Sequence, residues 1–100
     1  MRHLISLKEQ SKEDLLTILT IAQKLKAKRA KGELTNYLSN KSLIMLFQKT
    51  STRTRLSFEA AMTELGGHAI FLDSRTTQFA LTDFEDEIKA VMRFGQVLMF

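Results

Sequence analysis

The densest concentration of groups able to do chemistry lies in Phe47-Gln48-Lys49-Thr50-Ser51-Thr52-Arg53-Thr54-Arg55. Three cations (Lys49, Arg53, Arg55) and four hydroxyls (Thr50, Ser51, Thr52, Thr54) within so short a stretch suit the binding of an anion. If a helix begins here, the amides of its first turn have no intrahelical acceptor and its dipole favours negative charge. A guanidinium can hold two phosphate oxygens at once. The dipole contributes about 0.3–1 kcal/mol and a charged hydrogen bond about 1.5–3 kcal/mol, so several must converge on one phosphate. The segment has no glycine-rich cradle and is not a Walker-type loop. Residue chemistry also leaves a plainer alternative open: Ser51 or Thr52 only caps a helix, and the arginines pair with Glu59 or Glu64.

Positioning such a cluster requires a strand that delivers it and a helix that carries it. Leu43-Ile44-Met45-Leu46-Phe47 is a short unbroken apolar run, as a parallel strand buried on both faces requires. Gln48-Lys49-Thr50 reads as a loop. Ser51 or Thr52 then caps a helix with Phe58, Ala61, Met62 and Leu65 on its apolar face, stopped by Gly66-Gly67. A second apolar run, Ala69-Ile70-Phe71-Leu72, leads into the polar loop Asp73 to Gln78. Thr82 or Asp83 opens another helix, with acids near its positive end and Ile88, Val91 and Met92 turned inward. Gly95 precedes a third strand, Val97-Leu98-Met99-Phe100. Upstream, Ser11 caps a helix whose face is Leu15, Ile18, Leu19, Ala22 and Leu25, ending at Gly32.

The order α-β-α-β-α-β predicts an α/β fold, a three-layer parallel sheet with flanking helices and right-handed crossovers. Ending inside a strand, the chain is expected to be truncated, and a sheet covered on one face only would need further chain or a partner.

With 100 residues and 44% hydrophobic content, one domain with a real core is the expectation. No apolar stretch approaches a membrane span, and Met1 to Lys8 lacks the apolar run of a signal peptide, so a cytoplasmic protein without membrane association is expected. The absence of cysteine removes disulfides, thiolate nucleophiles and Cys-based zinc sites. His3 and His68 lie far apart with no companion ligands, so no metal site is read from them. The net charge of +4 is concentrated early, notably in Lys24, Lys26, Lys28, Arg29 and Lys31. With no aromatic residue interleaved for base stacking, that run reads as a solvated helix end rather than a nucleic-acid surface.

Ser51-Thr52-Arg53-Thr54-Arg55, continued by Leu56-Ser57-Phe58-Glu59 and then Leu65-Gly66-Gly67-His68, closely resembles the signature of the aspartate and ornithine carbamoyltransferase family. The resemblance runs over essentially the whole chain and is strongest from Leu43 to Leu72. Lys49, where the aspartate enzymes usually show a Glu-Pro lead-in, tilts it toward the ornithine branch, as does the opening from His3-Leu4 to the lysine-rich helix end. It implies that residues 1–100 are the N-terminal portion of a carbamoyl phosphate-binding domain, with the remainder of that domain and the ornithine-binding domain absent.

On the same resemblance, Ser51, Thr52, Arg53 and Thr54 match the positions that bind the phosphate of carbamoyl phosphate. Thr54 also lies near the carbonyl oxygen, and Arg53 and Thr54 are taken as the catalytic electrostatic groups. Gln78 matches a residue that reaches carbamoyl phosphate held by a neighbouring subunit, which implies a homo-oligomer, a trimer or a multiple of trimers. The implied reaction carbamoylates ornithine to give citrulline and phosphate, within arginine metabolism and without a cofactor. Arg55 receives no direct role, because its position two residues after Arg53 turns it away on a helix. Two departures stand out: Phe79-Ala80-Leu81-Thr82-Asp83 replaces a stretch rich in glycine and charge, and Gln96 stands where an Asp is common. The alternatives are the N-terminal part of an aspartate carbamoyltransferase, and a non-catalytic phosphate-binding or assembly module if the chain is complete.

Overall fold

A computed structural model describes residues 3–77, 81 and 83–100. By internal contacts the chain divides into two compact units, Met1–Leu34 and Thr35–Phe100.

In the first unit a 3-10 turn, Leu7–Glu9, precedes helix α1, Lys12–Ala30. The expected cap forms: Ser11 Oγ accepts from the Asp14 amide at 3.0 Å, and Gly32 takes a positive φ of 71° just beyond the helix end. The predicted apolar face does not become a core. Leu15 and Leu25 are half-buried, Ile18 and Leu19 are exposed, and no described residue of this unit is buried. A single helix has no second layer within its own unit to bury a stripe against.

The second unit contains the three strands, β1 (Ser42–Phe47), β2 (His68–Asp73) and β3 (Val97–Met99), and two helices, α2 (Thr52–Glu64) and α3 (Phe84–Val91). The sheet is parallel with order β2-β1-β3, and Met45 lies opposite both Phe71 and Met99. The expected alternation of strands and helices around an open parallel sheet is therefore present. Placement of β1 between two neighbours explains its unbroken apolar run: Leu43 through Phe47 are all buried, Met45 completely. Leu43, Met45 and Phe47 on one face join Met62 of α2, with Ala69, Phe71, Met99 and Leu38 packed around them.

The face that α2 turns to the sheet is not the one its apolar residues predict. Met62 is buried as expected, but Phe58 is 41% exposed and Ala61 is exposed. The stripe that meets the sheet instead runs through Met62 and half-buried Glu59 to Arg55, at helical spacing and rotated from the predicted one, with Arg55 itself exposed and its guanidinium laid over Phe71. An ion pair and an aromatic stack, described below, make a polar first half of that stripe tolerable. In α3, Ile88 and Val91 are half-buried, whereas Met92, predicted inward, is the C-cap and 40% exposed because the helix ends at Val91.

Two connections fix α2 at its far end. Gly66 N–H donates to Thr63 O and Gly67 N–H to Met62 O, at 3.1 and 2.8 Å, the paired bonds of a Schellman motif. Gly66 has φ of 85°, and a Cβ there would sit 2.8 Å from Asn36 Oδ1, so glycine is required on both counts. At the N-terminal edge of the sheet Gln96 Oε1 accepts from Ser42 N–H at 2.7 Å, while the Gln96 N–H donates to Ser42 O at 3.0 Å. The departure at Gln96 is thus a neutral clamp between β3 and β1, remote from the strand ends that carry α2. Among the described residues no helix is long and apolar enough to cross a membrane, and no group of three or more His, Cys, Asp or Glu could hold a metal ion.

Candidate functional site

Between the end of β1 at Phe47 and the start of α2 at Thr52 there are four residues, Gln48, Lys49, Thr50 and Ser51. This short loop sets the helix N-terminus above the C-terminal end of the central strand. The chain leaves β1 toward β2 and later returns across it to β3, so this strand end lies where the strand order reverses, the usual ligand position in an open α/β sheet. Ser74 N–H donates to Phe47 O at 2.9 Å and ties the loop after β2 to the same point.

Ser51 is the N-cap residue, yet its side chain makes no capping bond, and the first turn contains no acid. Arg55 is the first residue whose amide joins the helix ladder, donating to Ser51 O at 3.0 Å. The amides of Thr52, Arg53 and Thr54 therefore keep their donors available, at the positive end of the helix. The Arg53 and Thr54 side chains are exposed and make no hydrogen bond or ion pair among the described residues. Gln78 lies outside the described residues, as do Phe79, Ala80 and Thr82 of the departing loop.

Beside this N-terminus is a cavity of about 300 Å³, walled by Phe47, Lys49, Ser51, Thr52, Arg55 and Glu59 and closed by Phe71 and Asp73 of β2 and Arg75 of the turn after it. It gathers Ser51 and Thr52 of the predicted set but not Arg53 or Thr54, which belong to the same turn and stand outside the wall. The residue that sequence reasoning set aside, Arg55, is on the wall. Its guanidinium carbon sits 3.7 Å from the Phe71 ring centroid, and its Nε donates to Glu59 Oε2 at 3.1 Å. Position 55 does point away from Arg53, but the direction it takes is toward the sheet. The Arg55–Glu59 spacing in phase with Met62 was the available signal. The plainer alternative is realised for this one arginine and not for Arg53.

On the opposite wall Arg75 grips Asp73 with two side-chain bonds, Nε to Oδ1 at 3.0 Å and Nη2 to Oδ2 at 2.7 Å, and its amide adds a third at 2.9 Å. The side-chain bonds from Arg75, then its amide, hold the Asp73 carboxyl down from 3.8 to about 2. Arg75 is thereby neutralised locally, while Lys49 and Arg53 make no ion pair among the described residues. The arrangement can receive an anion on oriented amides and hydroxyls with cations nearby.

An open parallel α/β domain with its ligand position at the strand C-termini is the class this architecture defines. Comparison with known proteins narrows it to a family. Residues 2–100 match the family described as aspartate/ornithine carbamoyltransferase, carbamoyl-P binding domain. The chain is 45% identical over 100 residues to an ornithine carbamoyltransferase of Archaeoglobus fulgidus, covering 99% of this chain and 33% of that protein. It is 56% identical over 77 residues to the Methanosarcina acetivorans ornithine carbamoyltransferase, covering 77% of this chain and 26% of the other. Among solved structures, the ornithine carbamoyltransferase from Pyrococcus furiosus superposes with a TM-score of 0.89 at 37% identity, over 97% of this chain and 31% of its own. The catalytic subunit of M. jannaschii aspartate transcarbamoylase gives 0.86 at 34% identity, over 98% and 33%. The chain belongs to the aspartate/ornithine carbamoyltransferase family, within its carbamoyl-P binding domain, and spans about a third of the length of these relatives.

Proposed function

We propose that the N-terminus of α2 holds the phosphate of carbamoyl phosphate, and that the protein transfers the carbamoyl group to ornithine, releasing citrulline and phosphate. The observation that carries this reading is the uncapped first turn at the C-terminal end of the central strand, bearing Ser51, Thr52, Arg53 and Thr54. Amides of residues 52–54 and the hydroxyls supply hydrogen bonds, and the Arg53 guanidinium, without a partner among the described residues, supplies charge.

In the transfer, the neutral side-chain amine of ornithine attacks the carbamoyl carbon. A C–N bond forms, the bond from carbon to the bridging phosphate oxygen breaks, and phosphate leaves with the electron pair and takes up the proton that the amine gives up. No protein nucleophile and no cofactor enter. Catalysis then depends on positioning two substrates and on donors aimed at developing charge, the role given to Arg53 and Thr54. Residues 1–100 supply the phosphate half of the site. Gln78 is assigned to the carbamoyl phosphate of a neighbouring subunit in a homotrimer or multiple of trimers, and the work is placed in cytoplasmic arginine metabolism.

Aspartate as the acceptor is the second reading, favoured by the aspartate transcarbamoylase structures that superpose equally well. The test is carried out on the full natural chain containing these residues. Colorimetric assay of citrulline from ornithine, against carbamoyl aspartate from aspartate, separates the two. Product from ornithine alone supports the first reading, product from aspartate alone replaces it with the second, and neither product removes both.

A further inference from the structure

We infer that Arg55 is a positioning residue for the anion site: stacked on Phe71 and braced by Glu59, it sets the rotation of the first turn of α2 and so the direction of the amides of residues 52–54. The inference rests on the proposed anion site and adds a residue to which no contact with the anion is assigned.

The contacts form a continuous chain. Phe47, buried as the last residue of β1, meets the Phe71 ring edge-on, with centroids 5.4 Å apart and an interplanar angle of 79°. Phe71 in turn presents its face to the Arg55 guanidinium at 3.7 Å. Arg55 Nε is held by Glu59 one turn further along the helix, at 3.1 Å. The strand that delivers the Lys49–Ser51 loop is therefore tied to the first turn of the helix by a second path, independent of the loop itself.

No other side chain of the first two turns does this. Thr52 to Thr54, Leu56 and Phe58 are exposed, as Arg55 is, but none of them makes a ring contact among the described residues, and the apolar anchor, Met62, lies at the far end of α2. With the far end fixed by Met62 and the Gly66-Gly67 turn, the Arg55 stack is what remains to fix the rotation of the near end. A planar guanidinium can lie flat on a ring and still donate sideways to a carboxylate. A lysine ammonium keeps the charge but cannot make this pair of contacts with one group.

The difference between arginine and lysine separates positioning from simple attraction. Carbamoyl phosphate and inorganic phosphate are titrated calorimetrically into the full natural chain and its variants, with circular dichroism and thermal midpoints confirming the fold. Arg55→Lys is expected to weaken binding of both ligands by about tenfold despite its retained charge. Phe71→Leu, with Arg55 intact, is expected to do the same. Because both remove one contact chain, the double variant is expected to be no weaker than about tenfold. Wild-type affinity in Arg55→Lys overturns the inference, as do losses that multiply to about a hundredfold in the double variant. If those variants do not fold, Glu59→Gln decides: a loss of about twofold or more is expected, and unchanged affinity overturns the inference. Should the wild type bind phosphate but not carbamoyl phosphate, the substrate reading fails and the phosphate titrations still decide the role of Arg55. Binding of neither ligand overturns both.

Discussion

At the start of α3 the Asp83 carboxylate accepts from the amides of Glu85 and Asp86, at 2.9 and 3.4 Å, and three acids occupy the first turn. At the start of α2, in the same unit, Ser51 is also a residue with good capping chemistry, yet it leaves the turn open and the neighbouring charges are cations. Ser11 of α1 shows that a serine in this sequence caps when its geometry allows: it bonds the Asp14 amide. A cap and a bound anion satisfy the same orphan donors, so the uncapped start of α2 leaves donors that water or an anion can take. Among the described residues the starts of α1 and α3 are completed by their own side chains, whereas the start of α2 is uncapped and has hydroxyls and cations around it.

Closing the open turn tests the contrast most severely. Ser51→Asp, which gives α2 the carboxylate that α3 has, is expected to weaken carbamoyl phosphate binding by about a hundredfold while raising stability by about 0.5 kcal/mol. Calorimetric titration and chemical denaturation of the same sample read both. Arg53→Ala leaves the turn open and removes only the unpartnered charge; a loss of at least about tenfold in affinity is expected by titration, and unchanged affinity would remove Arg53 from the site. Asp83→Ala is the complement. Opening the α3 turn should cost about 1 kcal/mol in urea unfolding and leave anion affinity as it was, because three acids occupy that turn and repel an anion.

The smallest effect concerns a similar division among the arginines, Arg75 paired and Arg53 not. The Asp73 carboxyl is held at about 2, below its ordinary 3.8, so the folded form favours the carboxylate. Its contribution to stability is complete above pH 3.8 and is lost as the pH falls through about 2. Asp73→Asn should therefore differ from the wild type in thermal midpoint at pH 6 and converge with it near pH 2. A difference that persists unchanged at the acidic end would show that the pair does not stabilise through ionisation.

Much of this was legible in the residues. The unbroken apolar run of Leu43–Phe47 announced a strand buried on both faces, and the glycines at 66 and 67 announced the end of α2, because in both places one physical requirement dominates the choice of side chain. The segment from Lys49 to Arg55 was legible as a loop and helix start following the buried strand for the same reason. The rotation of α2 was not. Counting apolar residues put Phe58 and Ala61 inward, whereas the side facing the sheet carries half-buried Glu59 and exposed Arg55, the guanidinium lying over a ring on β2 and bonded to Glu59. The Arg55–Phe71 contact, made across sequence distance, leaves no periodic trace, and the i,i+4 spacing of Arg55 and Glu59 was the local signal. The inward role of Leu15, Ile18 and Leu19 in α1 was legible as amphipathicity and is not expressed within the unit that contains it.

The inward stripe of α2 also divides the helix by the kind of force that holds each end. Met62 is held by apolar contact, which added salt does not weaken, whereas the Arg55–Glu59 bridge is 44% and 33% exposed and is screened by mobile ions. Ionic strength thus acts on one end of the helix and not the other: the far end keeps its seat on the sheet, and the grip on the turn proposed to hold the anion slackens as the salt around it rises.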